Sequence, residues 1–231
     1  MAWTTAARPI LSDFEDEITV DTIPMSYDEY VAWCEQAEGN RGEWVDGEVI
    51  PFMPIAERHD RIVMFLYQVI GIYLELRGPG RVFGQEFELR SRTESAREPD
   101  MFVVLQRHLA RLETMRFVGA ADVVVEVISW DSVTRDRRVK HSEYEATGIP
   151  EYWLIDPREG HERIDVFRLN ESGRYQGVEA MADGQLFSSV LPGVWLDPSW
   201  LVESELPSLL QTGTAMAGVT IKIDPTSAGD D

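Results

Sequence analysis

Lysine is almost missing from this sequence. Lys140 stands alone until Lys222, and the remaining fixed positive charge is carried by arginine. Cysteine is scarcer still: Cys34 is the single one, so an internal disulfide is excluded and a reducing, cytoplasmic setting is expected. No apolar run reaches the roughly 18 residues of a membrane-spanning helix. The opening residues, MAWTTAARPILSDFEDE, lack the apolar stretch of a signal peptide. Positive charge as a whole is in short supply, with a formal net charge of −20 over 231 residues. That balance argues against an indiscriminate scavenger of nucleic acid.

The charge is unevenly spread. Residues 1–60 carry 3 basic and 14 acidic groups, residues 61–160 carry 14 and 16, and residues 161–231 carry 4 and 11. The arginines therefore gather in a nearly neutral centre between acidic ends. Solubility alone accounts for such a pattern. A 44% hydrophobic content supports one substantial core.

Along the chain, residues 1–23 read as a flexible acidic arm, 24–200 as the folded domain and 201–231 as a C-terminal extension. Ser26 with Glu29 three positions on is a capping box and predicts a helix over about 27–37. EWVDGEVIPF (43–52) reads as a hairpin turning at Asp46-Gly47. Ile62, Leu66, Val69 and Tyr73 form the stripe of an amphipathic helix over about 57–77. The alternation in RVFGQEFELR (81–90) predicts one strand, and SRTESARE (91–98) a loop. MFVVL (101–105), VVVEVI (123–128) and EYWLID (151–156) read as buried strands, with a helix over 133–147 between the last two. Residues 162–180 form an antiparallel hairpin, and 186–197 a closing strand and turn. VTIKID (219–224) is a candidate edge strand. The order of elements predicts an α/β class in three layers around a mixed sheet.

Two acidic residues sit where acids are costly. Asp100 opens a strand directly after Pro99, and Glu126 lies inside a run of valines, sharing a face with Val124 and Ile128. A buried carboxylate must be protonated, hydrogen-bonded or matched by a cation. Two on adjacent strands make a seat for Mg²⁺ or Mn²⁺. The plainer readings are a salt bridge from Glu126 to an arginine such as Arg137, and a turn-forming role for Asp100. In the helix that follows, Arg137, Lys140 and Tyr144 share one face at helical spacing. Lys140 is then either a surface lysine lying along the protein or the inward amine that a phosphate site needs. His59 falls on the core-facing stripe of the long helix, as a structural residue or a proton-transfer group. Glu43 and Glu48 flank the Asp46-Gly47 turn, and the sequence does not choose between them.

From about Ser26 to Leu196 the chain resembles a large bacterial family abundant in cyanobacteria, long labelled only as a domain of unknown function. That family lies within the restriction-endonuclease-like, or PD-(D/E)XK, superfamily. The segments that carry the resemblance are EWVDGEVIPFMP (43–54) with His59, EPD (98–100), ADVVVEVIS (121–129), the lysine and tyrosine of KHSEY (140–144), and GIPEYWLIDP (148–157). The resemblance implies a restriction-endonuclease-like core, a mixed β-sheet flanked by helices, with an antiparallel C-terminal hairpin. It implies Asp100 and Glu126 as metal ligands for Mg²⁺ or Mn²⁺. The superfamily's lysine, normally two positions past the acid where Ile128 stands, would have migrated to Lys140. Glu43, Glu48, His59 and Tyr144 would support the site, and Arg135, Arg137 and Arg138 would contact phosphate. Trp130 departs from the family's usual serine-proline-serine at this point. The implied activity is metal-dependent hydrolysis of nucleic acid, DNA in the first instance, by a protein for which a homodimer is a reasonable assembly. The acidic balance keeps open a second reading: a nuclease-fold interaction or regulatory module with little or no cleavage.

Overall fold

The structure, a computed structural model, describes residues 21–36, 40–78 and 80–220. The arm expected over 1–23 and the edge strand expected over 219–224 fall largely outside them. The chain begins with β1 (Ile23–Pro24), α1 (Tyr27–Glu35), β2 (Gly42–Val45), β3 (Glu48–Pro51) and α2 (Glu57–Arg77). The middle supplies β4 (Gly80–Gly84), β5 (Glu88–Arg92), β6 (Ser95–Arg97), β7 (Met101–Leu105), β8 (Arg116–Val118) and β9 (Val123–Val127). A π-helical turn over Arg135–Lys140 runs into α3 (His141–Thr147). Then come β10 (Glu151–Asp156), β11 (Arg163–Leu169), β12 (Tyr175–Gly177), β13 (Leu186–Phe187), β14 (Trp195–Leu196) and α4 (Leu209–Met216).

The central sheet has the order β12-β11-β10-β9-β7-β4. Only β9 and β10 pair in parallel, so the sheet is mixed. Period-two alternation sorts its side chains into two cores. Val103, Val123, Val125, Val127, Trp153 and Ile155 meet the apolar stripe of α2 on one face. Phe102, Val104, Val124, Tyr152 and Leu154 face α3 and the second sheet, with Tyr144 and Phe117 among them. Every residue of β9 is buried, which is why its sequence is a valine run rather than an alternation. This is a mixed α/β core flanked by helices, with β11 and β12 forming the antiparallel C-terminal hairpin.

A second sheet, β1-β3-β2-β6-β5-β8, carries the β2–β3 hairpin. Its turn places Asp46 and Gly47 at φ 50° and 88°, the two left-handed positions that an Asp-Gly pair supplies. The capping box forms at α1: Ser26 Oγ accepts from the Glu29 amide, and the Glu29 carboxylate accepts from the Ser26 amide. One expectation needs correction. Residues 81–90 are two strands in different sheets, because the chain turns over between Gly84 and Glu88, with Glu86 at φ 76°. Within 91–98, Ser95–Arg97 is a strand that pairs β5 with β2.

Gly42 precedes Glu43 and lets β2 approach β3 closely; a Cβ there would collide with the Ile50 carbonyl oxygen. Gly42→Ala should therefore cost about 1–3 kcal/mol, the range of overpacking in a well-filled site. Thermal unfolding should show the loss, together with a larger one in any assay that depends on the position of Glu43.

Candidate functional site

Strand register brings the two acids together. β7 and β9 run antiparallel with Met101 across from Val125, so one further step sets Asp100 across from Glu126. The Asp100 carboxylate accepts from the amide of Val127, the residue after Glu126, at 2.7 Å. Gln85 Nε2 donates to its other oxygen at 2.7 Å. From the first turn of α2, His59 Nε2 lies 3.3 Å from Asp100 Oδ2. Burial would raise the Asp100 pKa, but His59 and the Val127 amide outweigh it and hold the carboxyl below its usual value. Burial likewise works against a charged His59, and Asp100 reverses that and draws its pKa upward.

Glu126 sits one strand inward and is 3% exposed. Lys140 Nζ donates to its Oε1 at 2.9 Å, and the Tyr144 hydroxyl donates to the same oxygen at 2.8 Å. Lys140 is 4% exposed, so it is an inward amine and not a surface lysine. Two more carboxylates surround its ammonium: Glu43 Oε1 at 3.1 Å and Asp136 Oδ1 at 3.5 Å. One lysine thus serves three buried acids. Burial pushes Glu126 up to about 8, opposed by Lys140 and assisted by Asp136, Asp100 and Glu43. Burial also acts on Glu43, yet Lys140 and Arg97 bring it down to about 2. The three acids draw the Lys140 pKa upward against its own burial.

Arg97 buttresses this arrangement from β6. It is fully buried and donates to Glu43 at 3.0 Å and to Glu143 at 2.6 Å. Glu143 also accepts from Ser95 Oγ. The Glu98 amide donates to Glu43 at 3.2 Å. Glu98 itself, held by the Tyr30 hydroxyl at 3.3 Å, is pushed up to about 7, first by burial and then by Glu43.

The other residues singled out in the sequence are placed as follows. Glu48 stays exposed at the start of β3, while Glu43 is the acid that enters the site. Arg137 is buried and donates to Asp156 at 2.9 Å and Asp165 at 3.1 Å, not to Glu126. Arg135 lies at the edge of the cluster, 4.0 Å from Asp136, and Arg138 is exposed. Other arginines of the central region are committed to protein groups. Arg92 makes a two-point bond to Asp46, and Arg90 lies over the Tyr27 ring and donates to the Thr93 carbonyl. Sequence reasoning missed Asp136, Gln85 and the buttressing role of Arg97. Asp136 had a usable signal, four residues before Lys140; Gln85 had none.

Asp100 and Glu126 are hard oxygen donors of the kind Mg²⁺ takes, and that ion needs only one or two carboxylates when waters complete its shell. The set is small. Among the described residues no group of three or more acidic, histidine or cysteine side chains is disposed to hold a metal ion. Asp100 accepts from Val127 and Gln85, and Glu126 Oε1 from Lys140 and Tyr144.

Two outcomes follow from the charges. Lys140→Met strands three buried acids, and breaking a buried pair from one side costs about 3–5 kcal/mol. Thermal unfolding should fall by about 10 °C. Glu98 has its folded pKa raised, so its contribution to stability is present below pH 4.5 and is lost as pH rises through about 7. Glu98→Gln should therefore unfold at a higher temperature than the parent at pH 8.5, with the gap closing towards pH 5.

No curated protein matches the chain. A crystal structure described as a "putative nuclease belonging to DUF820" from Anabaena variabilis ATCC 29413 superposes with a TM-score of 0.63 at 21% identity. It covers 77% of this chain and 99% of the other, a likeness of fold. No described helix is long and apolar enough to cross a membrane. The model of the Uma2 family, described as "Putative restriction endonuclease", matches residues 27–199, and the chain belongs to that family and so to the PD-(D/E)XK restriction-endonuclease-like superfamily.

Proposed function

We propose that this chain is a nuclease-fold module that engages nucleic acid and is catalytically weak or silent as folded. The observation that supports this is the position of the Lys140 ammonium. It lies among Glu126, Glu43 and Asp136, at distances that give each acid a protein partner. Asp100 is equally provided for, by His59, Gln85 and the Val127 amide. Each of these four acids thus has a protein group within ion-pair or hydrogen-bond distance.

A second reading has its own support, in the register that sets Asp100 across from Glu126 with an amine alongside. This is a metal-dependent endodeoxyribonuclease. Asp100 and Glu126 would hold Mg²⁺ or Mn²⁺, which when bound supplies a more acidic water and Lewis-acid polarisation of the phosphate. Lys140 then offers a compact positive charge for a phosphoryl oxygen. Tyr144 fixes the rotamer of Glu126, and His59 holds Asp100 in its ionised form. DNA as the substrate and a homodimer belong to the same proposal and rest on the resemblance; a cytoplasmic location rests on the single cysteine.

The test uses single- and double-stranded DNA and RNA with Mg²⁺, with Mn²⁺ and with a chelator, scored for both binding and cleavage. Binding with at most trace cleavage is expected. Strong metal-dependent cleavage that falls at least 100-fold in Asp100→Ala replaces the first reading with the second. Absence of binding to every nucleic acid overturns both, as does cleavage that survives Asp100→Ala.

A further inference from the structure

Four residues beyond Glu126 the chain leaves the central sheet and turns, and at that turn it exposes its largest side chain. Trp130 is 60% exposed, whereas Glu43, Glu126, Asp136 and Lys140 nearby in the fold are buried. It is not loosely held. The Arg158 guanidinium carbon lies 4.8 Å from the centre of its ring, within cation–π range. His161 meets it edge-on, with centroids 6.0 Å apart and planes at 87°. Arg158 is itself anchored: its Nε and Nη2 donate to the two Asp156 oxygens at 2.8 Å each, and Asp156 also accepts from Arg137. The strand-borne network thus supports the indole through a fixed cation, with His161 against it, and leaves more than half of the residue exposed. A tryptophan with no burial to gain, held by a rigid cation, is arranged to receive a second flat group.

We propose that Trp130 is a stacking platform for an unpaired nucleobase of a single-stranded nucleic acid entering the Asp100–Glu126 site. The inference deepens the reading given above and rests on it. The charge distribution favours a strand over a duplex. Duplex affinity is dominated by cations matched to phosphates. Here Arg92, Arg97, Arg116, Arg158 and Arg163 are spent on protein carboxylates. A strand that presents its bases gains stacking in addition to its phosphate contacts, and stacking is tolerant of sequence. The cation behind the indole strengthens the platform, because it polarises the ring on which the base lies.

The experiment measures binding of the full chain to a fluorescent single-stranded DNA of mixed sequence. Two further probes are the corresponding duplex and an oligomer of abasic deoxyribose phosphates. Each is titrated against the parent, Trp130→Ala and Trp130→Phe. The expected result is a 5- to 100-fold loss of single-strand affinity in Trp130→Ala, the scale of one stacked base. Recovery to within about threefold is expected in Trp130→Phe, with weak and unchanged binding of the abasic oligomer by all three proteins. Unchanged thermal unfolding of Trp130→Ala confirms that an exposed side chain was removed without disturbing the fold. Measurable single-strand binding that Trp130→Ala leaves intact overturns the platform while sparing the nucleic-acid reading. Equal losses on the abasic oligomer overturn it too, because they assign the tryptophan to the backbone path. Absence of binding by the parent to all three probes overturns both.

Discussion

One ammonium group holds the acidic centre of this protein together. Lys140 is the sole lysine in the described chain, and it lies within 3.5 Å of three buried carboxylates drawn from β2, β9 and its own helix. Removing several acids from water is costly, and a single cation cannot neutralise all of them. The remaining burden passes outward: Arg97 takes part of Glu43, Tyr144 bonds to Glu126, and Glu126 is pushed towards its protonated form. An arginine at position 140 would bring a larger, planar and more weakly hydrated head to a place that suits a compact charge. That difference gives a physical reason for one lysine in a chain that otherwise uses arginine.

The same economy of charge runs through the rest of the molecule. The near-neutral centre of the sequence invites the picture of an arginine-lined groove, but several of its arginines pair with protein acids, and Arg97, Arg137 and Arg158 are buried. Arg137, Arg158 and Arg163 knit β10, β11 and the π-helical turn through Asp156 and Asp165. Arg97 ties β6 to β2 and α3. These contacts fix the relative positions of elements that carry the site, at the expense of a cationic surface.

Much of this was legible in the sequence where a local rule acts alone. The capping box set the start of α1, and the stripe from Ile62 to Tyr73 gave α2 its full length of Glu57–Arg77. The valine run marked the fully buried strand β9. Illegible parts are those decided by partners distant in the chain. Alternation continues smoothly through Gln85–Phe87, so period two cannot register that the chain changes sheets there. Residues 209–216 lack a sharp pattern because α4 is specified by the surface of α2 against which it packs. At the site, α-helical spacing puts Arg137 on the face of Lys140 and Tyr144. The π-helical turn widens the coil, and residues four apart line up: Lys140 and Tyr144 bond to Glu126, Asp136 pairs with Lys140, and Arg137 turns to Asp156 and Asp165.

That wide coil separates two things which a strand-borne lysine would join. The acids take their positions from sheet pairing, whereas the amine takes its azimuth from the winding just ahead of His141. A gain or loss of one residue there would swing the amine by roughly 100° about the helix axis. Asp100 and Glu126 would stay where they are. The same swing would take the shared ammonium from those acids, so the length of this coil sets the charge balance of a site whose oxygens the sheet holds in place.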